Sequence, residues 1–332
     1  MKPEFVHLAH SAAAAKNALA KSRRLLSYWL QNVIPFTGMR ADCRSRTLIW
    51  RWASSAGRHL RLEVVNDMTI SIERDGAVFH VILNRPEKRN ALTHDMLVAL
   101  EAALHGAEND SEVRVVVLRA AGSDFCAGFD LSRLRSEELP EERMLREEDE
   151  LYGKALALRN FPKPTIAAIQ GGCIAGGMLL SQMCDLIIAS DDAYFYNPLV
   201  RMGGVGLEIL MEPWDLGIRQ AKRYLFAGER IPADVALKFG MITDVVRPQT
   251  LAAATVDLAA KITAMPPMTI RLLKKSINRT QDLMGMRAAL DYHFALHEFG
   301  HTTRESQQLL HEARERQSLK EYFAKRDKGD LA

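Results

Sequence analysis

Two glycine-rich turns carry the residue types best suited to chemistry in this 332-residue chain. The first, IQGGCIAGGMLLSQMCD over 169–185, lies between apolar runs at 165–169 and 186–189. This pattern predicts strand, tight turn, short helix and strand, because glycines supply unusual φ angles and let a ligand approach the backbone. A helix beginning at such a turn presents free N–H groups and the positive end of its dipole, a cradle for a developing oxyanion. Tight strand-to-helix packing explains a Gly-Gly pair equally well. The second turn, DFCAGFDL over 124–131, follows a strand expected at 113–119 and again sets Ala-Gly before a turn into a helix.

Those turns need a scaffold, and the flanking sequence supplies one. Alternation of Ile70 and Ile72 with polar neighbours reads as a strand, and Gly76 turns the chain into a second one at 78–83. A helix follows from Thr93, its expected N-cap, with Leu97, Leu100 and Leu104 on the buried stripe. The rhythm recurs through residue 195 and argues for an α/β fold of stacked ββα units. Residues 141–160, EERMLREEDELYGKALALRN, read as one charged helix with a solvated acidic face. Beyond Gly217 the chain reads as mainly helical.

Composition narrows the function classes. The chain is 48% hydrophobic and 26% charged, that of an ordinary globular protein, and it has no run of 18 apolar residues, so no membrane span is expected. Four cysteines, Cys43, Cys126, Cys173 and Cys184, lack both C-x-x-C spacing and a secreted disulfide pattern, which suits a reducing, cytoplasmic compartment. The net charge of +3 is uneven: residues 1–67 hold 11 Lys/Arg against 4 Asp/Glu, leaving 33 against 37 for the rest. Because the basic excess is confined to that stretch, nucleic-acid binding is not expected. Residues 1–67 are read as a basic extension, either disordered or arising from a translation start at Met68; a helical extension and an organelle-targeting segment are the alternatives.

The ordered motifs NRPEKRNAL (84–92), FCAGFDL (125–131), FPKPTIAAIQGG (161–172), AGGMLLSQMCDLIIA (175–189) and LFAGERIPADVALKFGMITDVV (225–246) resemble the enoyl-CoA hydratase/isomerase, or crotonase, superfamily. The resemblance spans residues 68 to 329. It implies a spiral of ββα units over 68–250 and a C-terminal helical oligomerisation domain over 251–332, which assembles a homotrimer or dimer of trimers. Implied too are an acyl-CoA thioester substrate, an oxyanion hole formed by the amides of Phe129 and Gly176, and CoA contacts from Lys88, Arg89, Ala91, Ala127, Asp130 and Leu131. Coenzyme A is part of the substrate in this reading, so neither a separate cofactor nor a metal is expected.

The chain also departs from that pattern. Hydration of a 2-enoyl-CoA needs a base to activate water and an acid to protonate Cα, work done by two glutamates in the family's hydratases. Leu179 and Leu199 stand at those two positions. Glu208, after the glycine run RMGGVG, is the leading replacement acid/base, with Asp130 and Tyr196 behind it and Glu212 and Asp215 weaker. The expected activity is hydration or double-bond isomerisation of an enoyl-CoA. The alternatives are another crotonase reaction (hydrolysis, decarboxylation or C–C cleavage) and a catalytically silent acyl-CoA-binding paralogue. His293, His297 and His301 fall at i, i+4 and i+8 on one helix face; with no carboxylate-rich partner motif in the sequence, packing is preferred to metal binding there.

Overall fold

The computed structural model describes residues 51–53, 59–61, 69–130 and 139–315. The chain divides into two units, Met1–Asn66 and Asp67–Ala332. In the first, Arg51–Ala53 and His59–Arg61 pair antiparallel. Most of the N-terminal extension, Leu131 and the family-like segment at 320–328 lie outside the described residues.

The second unit begins with the expected hairpin, β1 (Ile70–Asp75) and β2 (Val78–Leu83), turning at Gly76 with φ 54°. Helix α1 (His94–Asn109) follows, and the Thr93 side chain caps it by accepting the Met96 N–H at 3.2 Å. Its buried stripe is Met96, Leu100, Ala103 and Ala107. The expected Leu97 and Leu104 are half-buried at its edge, where they pack against the main core and line a cleft together with Leu100.

Strands β3 (Val115–Ala120), β4 (Thr165–Ile169) and β6 (Leu186–Ser190) build a six-stranded sheet in the order β9-β6-β4-β3-β2-β1, where β9 is Asp244–Val246. All neighbours in it are parallel except β1 and β2. Sheets of this kind are covered on both faces, so their strands are apolar throughout. In β3, Val116 and Leu118 enter the main core. Val115 and Val117 point the other way and pack with Ile166, Ala168 and Ile188 under α8 (Leu251–Thr263). A smaller sheet, β8-β7-β5, joins Gly172–Ile174 (β5), Tyr194–Tyr196 (β7) and Ile231–Pro232 (β8).

The stretch read as one charged helix is three pieces. Helix α2 (Pro140–Glu147) gives way to a π-helical turn, Glu148–Gly153, and then to α3 (Lys154–Arg159). The wider turn changes which side chains face inward, and Glu147, expected on a solvated face, is buried. The helices after Gly217 form as expected: α6 (Ile218–Ala227), after the short α5 (Glu212–Asp215), then α7 (Ala233–Phe239), α8, α9 (Pro267–Leu283), α10 (Met286–His301) and α11 (Arg304–Glu315). Helix α4 (Gly176–Gln182) is the short helix after the first glycine turn.

Candidate active site

Because β2, β3 and β4 are parallel neighbours, the segments leaving them, 84–92, 121–130 and 170–176, emerge on one edge of the sheet. Ligand sites in parallel sheets favour this carboxyl edge. Backbone hydrogen bonds lace the three together. Cys126 donates to Gly172 O (3.0 Å) and accepts from Ile174 N (2.8 Å), while Ala127 donates to Arg89 O (2.9 Å) and Leu92 donates to Gly128 O (2.7 Å). Buried Asn90 closes the set: its amide donates to the carbonyls of Ala121 and Asp124, each at 2.8 Å, and its oxygen accepts the Arg85 N–H.

This lacing orients two amides. A trans peptide points its C=O and N–H in opposite directions. Gly128 O is turned toward Leu92, so the Phe129 N–H points away from Leu92, toward the strand that carries Cys173. Gly176 opens α4, and its N–H has no acceptor within the helix. A Cβ on Gly128 would sit 3.7 Å from that nitrogen, and one on Gly176 would sit 3.1 Å from the Phe129 ring. The two turns are therefore packed closely against each other. Ala175, just before the helix, has φ 46° and ψ −111°, and its N–H donates to Tyr196 O at 3.0 Å. Such backbone costs about 1–3 kcal/mol and is concentrated at functional sites.

The other sequence-expected residues divide by what holds them. Asp130 pairs with Arg85 at 2.6 Å, and Arg85 also donates to Ala91 O, so this acid braces the loop. Arg89 grips Asp124 with two hydrogen bonds of 2.8 and 2.9 Å, and this contact above all holds the Asp124 carboxyl down to about 2. Lys88 is exposed at the tip of the same loop, with Ala91 and Ala127 half-buried behind it. Burial pushes the Cys126 thiol up to about 12, leaving it a packing group.

Leu179 is buried in the main core and Leu199 packs against it. Glu208 lies between core residues Leu207 and Ile209; its Oε2 is buried without a hydrogen-bond partner, and burial raises its pKa. Glu212 and Asp215 are more deeply engaged than the sequence indicated. Glu212 accepts from Asn197 at 3.0 Å, and Asp215 accepts from Gln182, the last residue of α4, at 3.2 Å. Burial first and the charge of Glu212 second push Asp215 up to about 8.

Sequence reasoning missed the carboxylate partner of the histidine stripe. Glu147, 150 residues from His297, approaches its Nε2 to 3.3 Å, and His301 stands beside both. No periodicity within α10 signals a partner from another helix. A cleft of about 350 Å³ opens between α1 and α3 and is lined by Leu97, Leu100, Leu104, Leu151, Leu158 and Leu179. Leu151 of the π-helical turn is among its lining residues. Tyr152 instead stacks on Phe294 of α10, Leu156 is buried, and Met144 is exposed.

A model of the enoyl-CoA hydratase/isomerase family matches residues 73–328. EchA13 of Mycobacterium tuberculosis, provisionally named an enoyl-CoA hydratase, is 39% identical over 248 residues, 68% of this chain and 78% of that protein. The short-chain-enoyl-CoA hydratase of Clostridium acetobutylicum is 34% identical over 226 residues, 67% of this chain and 84% of its own. The crystal structure of an enoyl-CoA hydratase/isomerase from Xanthobacter autotrophicus Py2 superposes with a TM-score of 0.71 at 33% identity, covering 80% of this chain and 99% of that one.

Proposed function

Because the chain belongs to the enoyl-CoA hydratase/isomerase family, we propose that it hydrates or isomerises an enoyl-CoA, with the thioester oxygen held by the Phe129 and Gly176 amides. The orientation of the Gly128–Phe129 peptide carries this reading: its carbonyl is tied to Leu92, so its N–H points away from Leu92, and the turn that carries it packs against Gly176. Two such donors stabilise the charge that grows on the carbonyl oxygen as an enolate forms. Each is worth on the order of 3 kcal/mol of barrier.

With Leu179 and Leu199 at the two usual acid/base positions, Glu208 is our choice for proton transfer. Its burial supports this, since burial raises its pKa above the usual carboxylate value. CoA lies along the backbone of 88–91 and 127–130, with Lys88 toward the phosphates and Arg89 occupied in holding the loop to Asp124. The leucine-lined cleft, reached past Leu179, takes the acyl tail. The reaction needs no separate cofactor in this scheme.

Two coarser features fit a family-like assembly in the cytoplasm. Helix α9 buries no residue in the protomer and exposes Leu272, Leu273 and Ile277, while α10 exposes Tyr292 and Phe299, surfaces suited to a homotrimer or a dimer of trimers. Cys126, Cys173 and Cys184 are buried and free, as a reducing compartment allows, and no helix among the described residues is long and apolar enough to cross a membrane.

The test is a panel of 2-enoyl- and 3-enoyl-CoAs followed by the absorbance of the conjugated thioester. Loss of absorbance from 2-enoyl-CoAs reports hydration, and a gain from 3-enoyl-CoAs reports isomerisation. Glu208→Gln lowers kcat by about 100-fold or more with acyl-CoA affinity kept. Tight binding with no turnover of any panel member contradicts the proposal and leaves the silent paralogue.

A further inference from the structure

His297 Nδ1 lies 2.9 Å from the Gly206 carbonyl. A carbonyl only accepts, so Nδ1 carries the proton, and in the neutral ring Nε2 presents a lone pair. That lone pair faces Glu147 Oε2 at 3.3 Å and His301 Nε2 at 3.1 Å. Glu147 and His297 are buried and His301 is half-buried, and their three ligand atoms lie within 4.8 Å of one another. With His301 in its Nδ1–H tautomer, three acceptors converge there, and such a set is held together by positive charge. A proton on His297 Nε2 makes one good hydrogen bond at a time and leaves the other contact unsatisfied.

We propose that Glu147, His297 and His301 bind a divalent transition-metal ion of the zinc class. Two imidazoles and one carboxylate are an established donor set for zinc, with bonds near 2.1 Å that place neighbouring ligand atoms about 3.0–3.4 Å apart. Two of the three separations, 3.3 and 3.1 Å, match that edge, and the third lies within 4.8 Å. The two rings meet edge to face with centroids 4.6 Å apart, whereas a head-on N–H···N contact at that nitrogen spacing sets the centroids about 5.4 Å apart. The nitrogens therefore do not meet head-on.

The surroundings also suit an ion. The Nδ1–H bond to Gly206 fixes the His297 tautomer, and Arg146 holds the other Glu147 oxygen at 3.2 Å; metal ligands usually have such supports. Glu147, Glu208 and Glu298 stand around the cluster with Arg143 and Arg146. The ligands come from the end of α2 and from α10, and His297 is tied to the loop before Glu208. An ion here clamps three segments that are distant in sequence. The inference stands independently of the proposed enoyl-CoA chemistry.

The experiment uses tag-free full-length protein, stripped with a chelator, dialysed and titrated with Co²⁺. One equivalent is expected to produce the visible ligand-field bands of a low-coordinate nitrogen/oxygen site, and Zn²⁺ is expected to bleach them by displacement. His301→Ala and Glu147→Gln should each weaken Zn²⁺ binding by about 100-fold or more, beyond the 10–100-fold typical of losing an outer-shell partner. His301 is half-buried and is the last residue of its helix, so its variant serves if Glu147→Gln fails to fold. Folded wild type that takes up no stoichiometric Co²⁺ or Zn²⁺ overturns the proposal, as does binding that both folded variants retain unchanged. In either case the three groups share a proton instead.

Discussion

Cys126 and Cys173 face one another in a single parallel bridge, and three residues beyond each lies one of the two candidate oxyanion donors, Phe129 and Gly176. The bridge sets the register of the two turns. Gly177 packs directly on it: a Cβ there would lie 2.8 Å from the Cys126 Cβ and 3.0 Å from its carbonyl oxygen. Neither neighbour is the far end of a flexible chain. Gly177→Ala should therefore cost about 1–3 kcal/mol by denaturant unfolding and lower kcat more than it raises KM, by displacing the Gly176 amide. Wild-type stability and rate in the variant would show that the register is not tightly held.

Asp215 gives a pH signature. Its carboxyl is pushed up to about 8, chiefly by burial, against about 3.9 in an unfolded chain. The native state thus keeps a proton that the unfolded chain releases. This group's stabilising contribution is complete below about pH 4 and is lost as the pH rises through about 8. Unfolding midpoints should fall over that window, and Asp215→Asn should flatten the fall, leaving a remainder from Glu212 and Glu208, whose pKa values burial also raises. An identical slope in wild type and variant would mean that Asp215 is ionised in the native protein.

The cleft beside Leu179 predicts chain-length selectivity. Leu97→Trp should fill much of the space between α1 and α3, lowering kcat/KM for long acyl chains by about 10-fold or more while sparing short ones. Competing acyl-CoAs of graded length provide the measurement. A uniform loss at every length would place the tail elsewhere.

Local signals in the sequence were enough for the scaffold. Alternation at Ile70 and Ile72, the Thr93 cap and the glycine turn before Gly176 each act within a few residues, and each element formed where expected. What was not legible came from contacts between distant segments. The buried stripe of α1 is Met96, Leu100, Ala103 and Ala107, and Leu97 and Leu104 sit at its edge, where they line the cleft made with α3. Glu147 reads as one more solvated acid in EERMLREEDE until a π turn and α10 enclose it with His297. The bracing role of Arg89 was equally hidden, since its partner Asp124 lies 35 residues away.

The role proposed for the Gly176 backbone amide is to stabilise the thioester oxyanion. Glycolic acid in place of Gly176 exchanges that N–H for an ester oxygen without adding a side chain, so the contacts with Leu92 and Phe129 are undisturbed. On the best enoyl-CoA from the panel, kcat should fall on the order of 100- to 1,000-fold, with acyl-CoA binding and the unfolding midpoint close to those of the natural chain. An ester variant that turns over at the wild-type rate would contradict the account.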